Sequence, residues 1–324
     1  MVPPEVCVVG EINPDLILYG LPENFQLERE TLIERFRVTL GSSSAIFAHN
    51  LSALGTRVGM CSKTGKDVFG EMSLGWLREA GVDVSKVRMG SDTGTGVTVI
   101  LANQNGRFIL TYPGSMFELR FEDLDLTYIF SARHLHLSSY FLHKALRPRI
   151  VELFRTAKQR GLTTSLDTND DPSGEWGEEV PKLLEFVDVF LPNEYEARRI
   201  ARVENLFEAL RILTRVTRLV VVKRGSKGAI AYDGEREYKS SAVRVVPSDS
   251  VGAGDSFDAA YIQRFLAGAS IQEALEFASV VGAFSTTGEG GIEAFRNPKL
   301  LQEFLKENAK GKEGETSETQ PRSD

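Results

Sequence analysis

The chain has 324 residues, 42% of them hydrophobic, and a formal net charge of −7. That is enough apolar material for one large α/β domain or two smaller ones, so disorder is excluded for most of it. The acidic balance argues against nucleic acid or an anionic membrane surface as the main partner, since either attracts a basic face. Cys7 and Cys61 sit in short apolar runs with no metal-type spacing, which reads as buried reduced thiols in a reducing cytoplasm. Residues 1–5 carry no basic region, and the Val6–Val9 run is too short for a signal core or a membrane span.

Val6 to Val9 is a β-branched run closed by Gly10, the pattern of a buried strand that delivers its next residues to a functional edge. Those residues include Asn13 and Asp15, separated by Pro14, which keeps a helix from starting early. Asp15 reads equally as a ligand for a polyol hydroxyl and as part of a surface Asx turn. Arg35 to Leu40 alternates with period two, as a half-exposed strand does. Gly41 and the serines after it open a helix that Gly55 stops, with Phe47, Leu51 and Leu54 on its apolar face. Val58 to Cys61 is the next strand, and Met72 to Gly81 another helix with a glycine stop.

Val97–Leu101 and Arg107–Tyr112 flank Asn103-Gln104-Asn105-Gly106, which predicts a hairpin. Antiparallel pieces of this kind do not belong in an alternating βα body, so the ranges 14–40 and 93–113 are expected to form a small antiparallel lid. From residue 133 the alternation becomes regular, with strands at 134–137, 163–167 and 187–191 around a helix at 151–160, and predicts a doubly wound, mostly parallel sheet flanked by helices. His134 and His136 share a strand face but have no third ligand in sequence, so they read as ordinary sheet histidines. Asp167 with Asn169 ends one strand and Asn193 with Glu196 ends the next. Ligands bind outside the carboxyl ends of such strands, so acidic and amide residues repeated there form a candidate site.

Leu219–Lys223 is a buried strand followed by Gly225 and Gly228, a tight turn that lets a nucleotide approach the backbone. Val243–Val246 is expected to be the strand that leads into Asp249-Ser-Val-Gly-Ala-Gly-Asp255. Gly252, Ala253 and Gly254 allow a tight turn and place N–H groups at a helix N-terminus, a ready anion site. Asp255 puts a carboxylate into that site, where it reads as a catalytic base beside a transferring phosphoryl group or as a helix cap. Its helix runs to Leu266 with Phe257 and Tyr261 facing the core, and Ser270 with Glu273 forms a capping box for the next helix, through about Thr287. Residues 309–324 are polar and charged, and are expected to be a disordered tail behind a domain spanning 1–308.

Taken together, Asp15, Gly41, Gly65-Lys-Asp-Val-Phe-Gly70, Asn193-x-x-Glu196, Lys223-x-Gly225-x-x-Gly228 and the 249–255 motif resemble the ribokinase-like, or PfkB family, sugar kinases over about residues 5–305. The resemblance implies an ATP-dependent kinase with Asp255 as base and the Gly252, Ala253 and Gly254 amides as anion hole. It places Asn13, Asp15, Gly41, Ser42, Asp167 and Asn169 at the sugar, and Lys223, Gly225, Gly228, Asn193, Ser279 and Ala283 at ATP. Glu196 would serve Mg²⁺ through water, and Asp249 a monovalent cation such as K⁺. The chain departs from the family pattern at Ser42, commonly a second glycine, and at Ile46, commonly an asparagine; an apolar Ile46 can make no hydrogen bond to a sugar hydroxyl. A sugar or sugar acid, accepting at a primary hydroxyl, is the expected substrate. A nucleoside, or a catalytically quiet sugar sensor, is the alternative. A dinucleotide oxidoreductase is disfavoured because the glycine-rich turn does not follow the first strand. Exposed lid edges predict a homodimer through the lid.

Overall fold

The computed structural model describes residues 2–24, 26–90, 92–103 and 106–315, with side chains described as far as 308. In chain order its strands are β1 (Val6–Val9), β2 (Pro14–Tyr19), β3 (Arg35–Leu40), β4 (Val58–Thr64), β5 (Asp83–Met89), β6 (Val97–Asn103) and β7 (Gly106–Tyr112). They continue with β8 (His134–Leu137), β9 (Thr163–Leu166), β10 (Val189–Phe190), β11 (Val220–Lys223), β12 (Ala229–Tyr232) and β13 (Glu237–Ser240). The helices are α1 (Ser43–Ala53), α2 (Val68–Glu79), α3 (Leu126–Ile129), α4 (Ile150–Gln159), α5 (Val180–Leu184), α6 (Glu194–Ala201), α7 (Leu206–Leu213), α8 (Ala253–Leu266), α9 (Ile271–Ser285) and α10 (Pro298–Glu315).

The large sheet has the order β13-β12-β11-β10-β9-β8-β1-β4-β5, parallel from β5 to β11 and antiparallel across β12 and β13. Continuous apolar strands suit this sheet because both of its faces are covered. Val6 and Val8 pack with Phe47, Leu51, Phe257 and Tyr261 on one side, while Cys7 and Val9 pack with Leu137, Phe154 and Leu166 on the other. The Cys7 and Cys61 sulfurs lie 3.9 Å apart as free thiols. From β1 the chain winds outward to β4 and β5, and then from β8 in the opposite direction. The strand order therefore reverses beside β1, and in open sheets of this kind the crevice outside the carboxyl ends at such a point is where ligands bind.

The small sheet has the order β3-β2-β6-β7. Its outer pairs are antiparallel, but β2 and β6 at its centre run parallel, because a long excursion through the large sheet separates them. Gln104 and Asn105 of the expected hairpin tip lie outside the described residues. Other expectations change with tertiary context. No strand precedes Asp249: β13 ends at Ser240, and Val246 is 91% exposed with no neighbour to pair with. α2 begins at Val68, within the Gly65–Gly70 motif, because the Asp67 carboxylate caps it by accepting from the Gly70 N–H at 2.9 Å. α10 runs to Glu315, into the stretch expected to be a tail, and residues 316–324 lie outside the described residues.

His134 and His136 are fully buried in β8, with their ring nitrogens bonded to the hydroxyls of Thr163, Ser165 and Ser138. Burial pushes both below the usual histidine range, so they are neutral. Among the described residues no helix is long and apolar enough to cross a membrane, and no group of three or more His, Cys, Asp or Glu is placed to hold a metal.

Candidate active site

α8 starts at the carboxyl-end crevice. Its cap, Gly252, is left-handed at φ 71°, and a Cβ there would come within 2.6 Å of the Gly291 backbone, so only glycine fits. The following first-turn amides have no intrahelical acceptor, and the helix dipole adds to their pull on an anion. Asp255 sits in that first turn, nearly buried. Burial, with the Asp167 charge next in importance, pushes its carboxyl up to about 7, against the opposing pull of Lys223 and the Ser43 hydroxyl.

Asp15 faces it from β2. Burial and the Asp255 charge push it to about 7 as well, with Arg107 of β7 pulling the other way. Asn13 donates through Nδ2 to Asp15 Oδ1 (3.4 Å) and Thr98 Oγ1 (3.2 Å). Gly41 is required beside them, since a Cβ there would stand 1.9 Å from Asp15 Oδ1. The expected sugar-side residues Asn13, Asp15 and Gly41 thus form one wall of the crevice.

The opposite wall comes from β8 and β9. Asp167 follows β9, and its Oδ1 accepts the Asn169 N–H at 3.2 Å. Asn169 in turn donates to Ser139 Oγ at 2.9 Å, with both residues in left-handed backbone. Such conformations in side-chain-bearing residues cost energy and cluster at functional sites.

The three serines that open α1 explain the departures from the family pattern. Ser42 caps the helix and donates to the Glu11 carbonyl at 2.6 Å, Ser43 reaches Asp255, and Ser44 donates to Glu11 Oε2 at 2.7 Å. Ile46 does not line the crevice; it is 2% exposed and packs against Gly252 and Gly291 beneath the turn. Its apolar side chain therefore supports the 252–254 turn from below.

On the nucleotide side, Asn193 caps α6 in a reciprocal box with Glu196 and pairs with Lys223 through a parallel bridge. Glu196 is buried, and burial and the Asp167 charge push it to about 8. Gly225 and Gly228 take φ 56° and 80° in the turn after β11, and a Cβ on Gly228 would meet the Ser240 carbonyl at 2.0 Å. Ser240 is tied to Ser279 of α9 through their hydroxyls at 2.6 Å, and Ala283 lies one turn further along α9. α9 meets the 252–255 turn at Gly282, where a Cβ would lie 3.4 Å from the Ala253 carbonyl. Lys223, expected on the ATP side, donates from Nζ to Asp167 Oδ2 and Asp258 Oδ2, each at 2.7 Å.

Asp249 accepts from Tyr19 Oη (2.8 Å), the Val251 N–H (3.0 Å) and the Gly290 N–H (3.2 Å). These three bonds pin the loop before α8 to the small sheet. That sheet also reaches the loop through Arg107, which donates to Ser250 Oγ at 3.4 Å, and through Val251 packed on Ile17, Tyr19 and Ile100.

Sequence reading missed Glu11, Arg107 and Asp258. Glu11 is buried; its carboxylate meets Ser44 and lies 3.2 Å from His143 Nε2. Burial alone would raise it, but these contacts outweigh burial and hold it at about 2. Asp258 was detectable, three residues after Asp255 and hence on the same helical face.

A family model described as pfkB family carbohydrate kinase matches residues 3–298. The ATP-dependent ribose-1-phosphate kinase of Halopiger xanaduensis is 29% identical, over 93% of this chain and 98% of that one. The 5-dehydro-2-deoxygluconokinase of Clostridium perfringens is also 29% identical, over 84% and 85% of the two chains. Among solved structures, the Arabidopsis thaliana ribokinase complexed with ribose and ATP superposes with a TM-score of 0.81 at 23% identity, covering 94% of this chain and 99% of that one. With the family model matched over residues 3–298, nearly the whole domain, the chain belongs to the PfkB family of carbohydrate kinases.

Proposed function

We propose that the protein transfers the γ-phosphoryl group of ATP to a primary hydroxyl of a sugar, sugar acid or sugar phosphate, with Asp255 as the base. The observation that carries this reading is the position of Asp255: a nearly buried carboxyl in the first turn of α8, beside the Gly252–Gly254 amides and facing Asp15. Asp15 and Asn13 hold the acceptor so that its hydroxyl points at Asp255. The amides receive the charge that develops on the phosphoryl oxygens, and Asp255 orients the hydroxyl and takes its proton late.

Gly225, Gly228, Ser279 and Ala283 border the groove assigned to the nucleotide, and Asn193 and Glu196 lie at its phosphate end. Glu196 would serve Mg²⁺ from the outer sphere, as a single carboxyl suits a cation held mainly by phosphates and water. When bound, that ion would neutralise phosphate charge. The small sheet acts as the lid. Closing it over the crevice excludes water, and Tyr19 and Arg107 link its position to the anion-hole loop.

The outer face of the lid supports a homodimer. Phe36, Leu18, Leu101 and Phe108 form one cross-strand row, and Val38, Leu16, Val99 and Leu110 the next. Phe36, Phe108 and Leu110 are each more than half exposed in the single chain, an apolar patch that a second copy of the same sheet would cover.

An ATP-consumption screen over pentoses, ketoses, sugar acids, sugar phosphates and nucleosides tests the reading. Turnover with a sugar, sugar acid or sugar phosphate is expected, lowered about 10²-fold or more by Asp255→Asn. Tight binding of a sugar with no turnover on any acceptor would favour a sensor instead, and turnover on nucleosides alone would move the acceptor class.

A further inference from the structure

Lys223 stands at the end of β11 with its ammonium between two buried carboxylates from different elements, Asp167 after β9 and Asp258 on α8. Its stem runs under the anion-hole turn: the point where a Cβ on Gly254 would lie is 3.6 Å from Lys223 Cδ. Two of the three ammonium donors are committed to carboxylates, so the flexible arm serves as a brace between them. Asp258 is 1% exposed, and its second oxygen, Oδ1, has no partner. A buried carboxylate oxygen left bare is costly unless it carries a proton, and burial raises Asp258 well above the usual range.

The charges around the base make this brace consequential. Asp255 is faced by Asp167 from the β9 end, by Glu11 and Ser43 from the β1–α1 side, by Asp15 from the small sheet with Arg107 behind it, and by Lys223 from β11. Four acidic groups, counting Asp258 on its own helix, thus crowd the base. Lys223 is the cation that opposes Asp167 in setting its proton affinity.

We propose that Lys223 is a positioning residue for phosphoryl transfer: held by Asp167 and Asp258, it locks the start of α8 to the β9 end and supplies the positive charge that keeps Asp255 ready to accept a proton. The inference rests on the reading of Asp255 as the base. It removes Lys223 from the set of ATP contacts and makes Asp167 a bridge between the acceptor wall and the anion hole.

Two readouts that need no acceptor test it. The first is the Mg²⁺-dependent affinity of a fluorescent ATP analogue, and the second is the titration of the Asp255 carboxyl by NMR of isotope-labelled aspartate, assigned with Asp255→Asn. In Lys223→Met the affinity should change by less than about tenfold. The Asp255 midpoint should rise from about 7 by about one unit or more, and Lys223→Arg should restore it. A midpoint that does not move overturns the proposal, as does an affinity loss of more than about tenfold, which would make Lys223 a phosphate ligand. If Lys223→Met fails to fold around its two abandoned acids, Lys223→Met/Asp258→Leu removes the neutral partner as well and is read the same way. Failure of the base reading is separate: Asp255→Asn with full turnover would sink that reading whatever the titration does.

Discussion

The two sheets solve opposite problems. The large sheet is buried on both faces, and its functional groups stand at strand ends, where Asp167, Asp255, Asp258 and Glu196 are crowded, desolvated and balanced by one lysine. The small sheet keeps polar groups on one face, with Asp15 and Thr98 turned to the crevice, and leaves its other face apolar and open. The first arrangement stores electrostatic free energy in fixed positions. The second offers a surface that can be moved and covered. On the proposed reading, chemistry belongs to the rigid side, and access and assembly to the small sheet.

The sharpest way to break this division is at Asp255. Asp255→Asn should lower turnover by about 10²-fold or more, with ATP-analogue affinity nearly unchanged, measured by ATP consumption and fluorescence titration. The acid limb of kcat/KM should fall near pH 7, because a base raised to about 7 is lost as pH drops through that value. The same shift has a stability consequence. A carboxyl whose folded pKa lies above its unfolded value favours the folded state where it is protonated, at low pH, and that advantage is lost as pH rises towards about 7. Asp255→Asn should therefore raise the melting temperature at pH 8 and leave it nearly unchanged at pH 4.

Gly41→Ala tests the joint between the sheets. The added methyl must displace Asp15, and a misplacement of this size should cost about 10²-fold in kcat/KM while sparing the nucleotide side.

Glu11→Gln probes the rigid side by removing one of the acidic charges that face the base. Glu11 is held at about 2, below its unfolded value, so the stability it contributes is present above about pH 4.5 and lost as pH falls through about 2. The substitution should cost about 3 kcal/mol near neutral pH, with the gap closing in acid, as denaturant unfolding at several pH values would reveal.

The smallest catalytic effect is expected on the outer lid face. Leu110→Glu should convert a dimer to monomer in gel filtration with kcat altered less than threefold or so, within about 1 kcal/mol. A wild-type monomer at the same concentration would remove the assembly from the account.

Much of this was legible in the sequence because its signals are local. The β-branched run 6–9, the capping box at Ser270, the hairpin strands around 103–106 and the glycine turn at 252–254 each follow from short-range sterics and periodicity. Asp255 was legible for the same reason, since a helix start is a local event. The strand expected at 243–246 failed because its three valines pair with no neighbouring strand and Val246 stays in solvent. Ile46 illustrates the same limit: the sequence marked it as the wrong residue for a sugar contact, and packing shows it supporting the anion-hole turn.

By itself, then, the sequence determined the alternation of strands and helices, the anion-binding turn and the acid that ends it, through backbone preferences that act over a few residues. Only the tertiary structure decided what Lys223, Glu11 and Asp249 do. Their roles depend on partners 35 and 56, 132, and 230 residues away respectively. Burial and the opposing charges that set a carboxyl's proton affinity arise only when those distant segments are packed together.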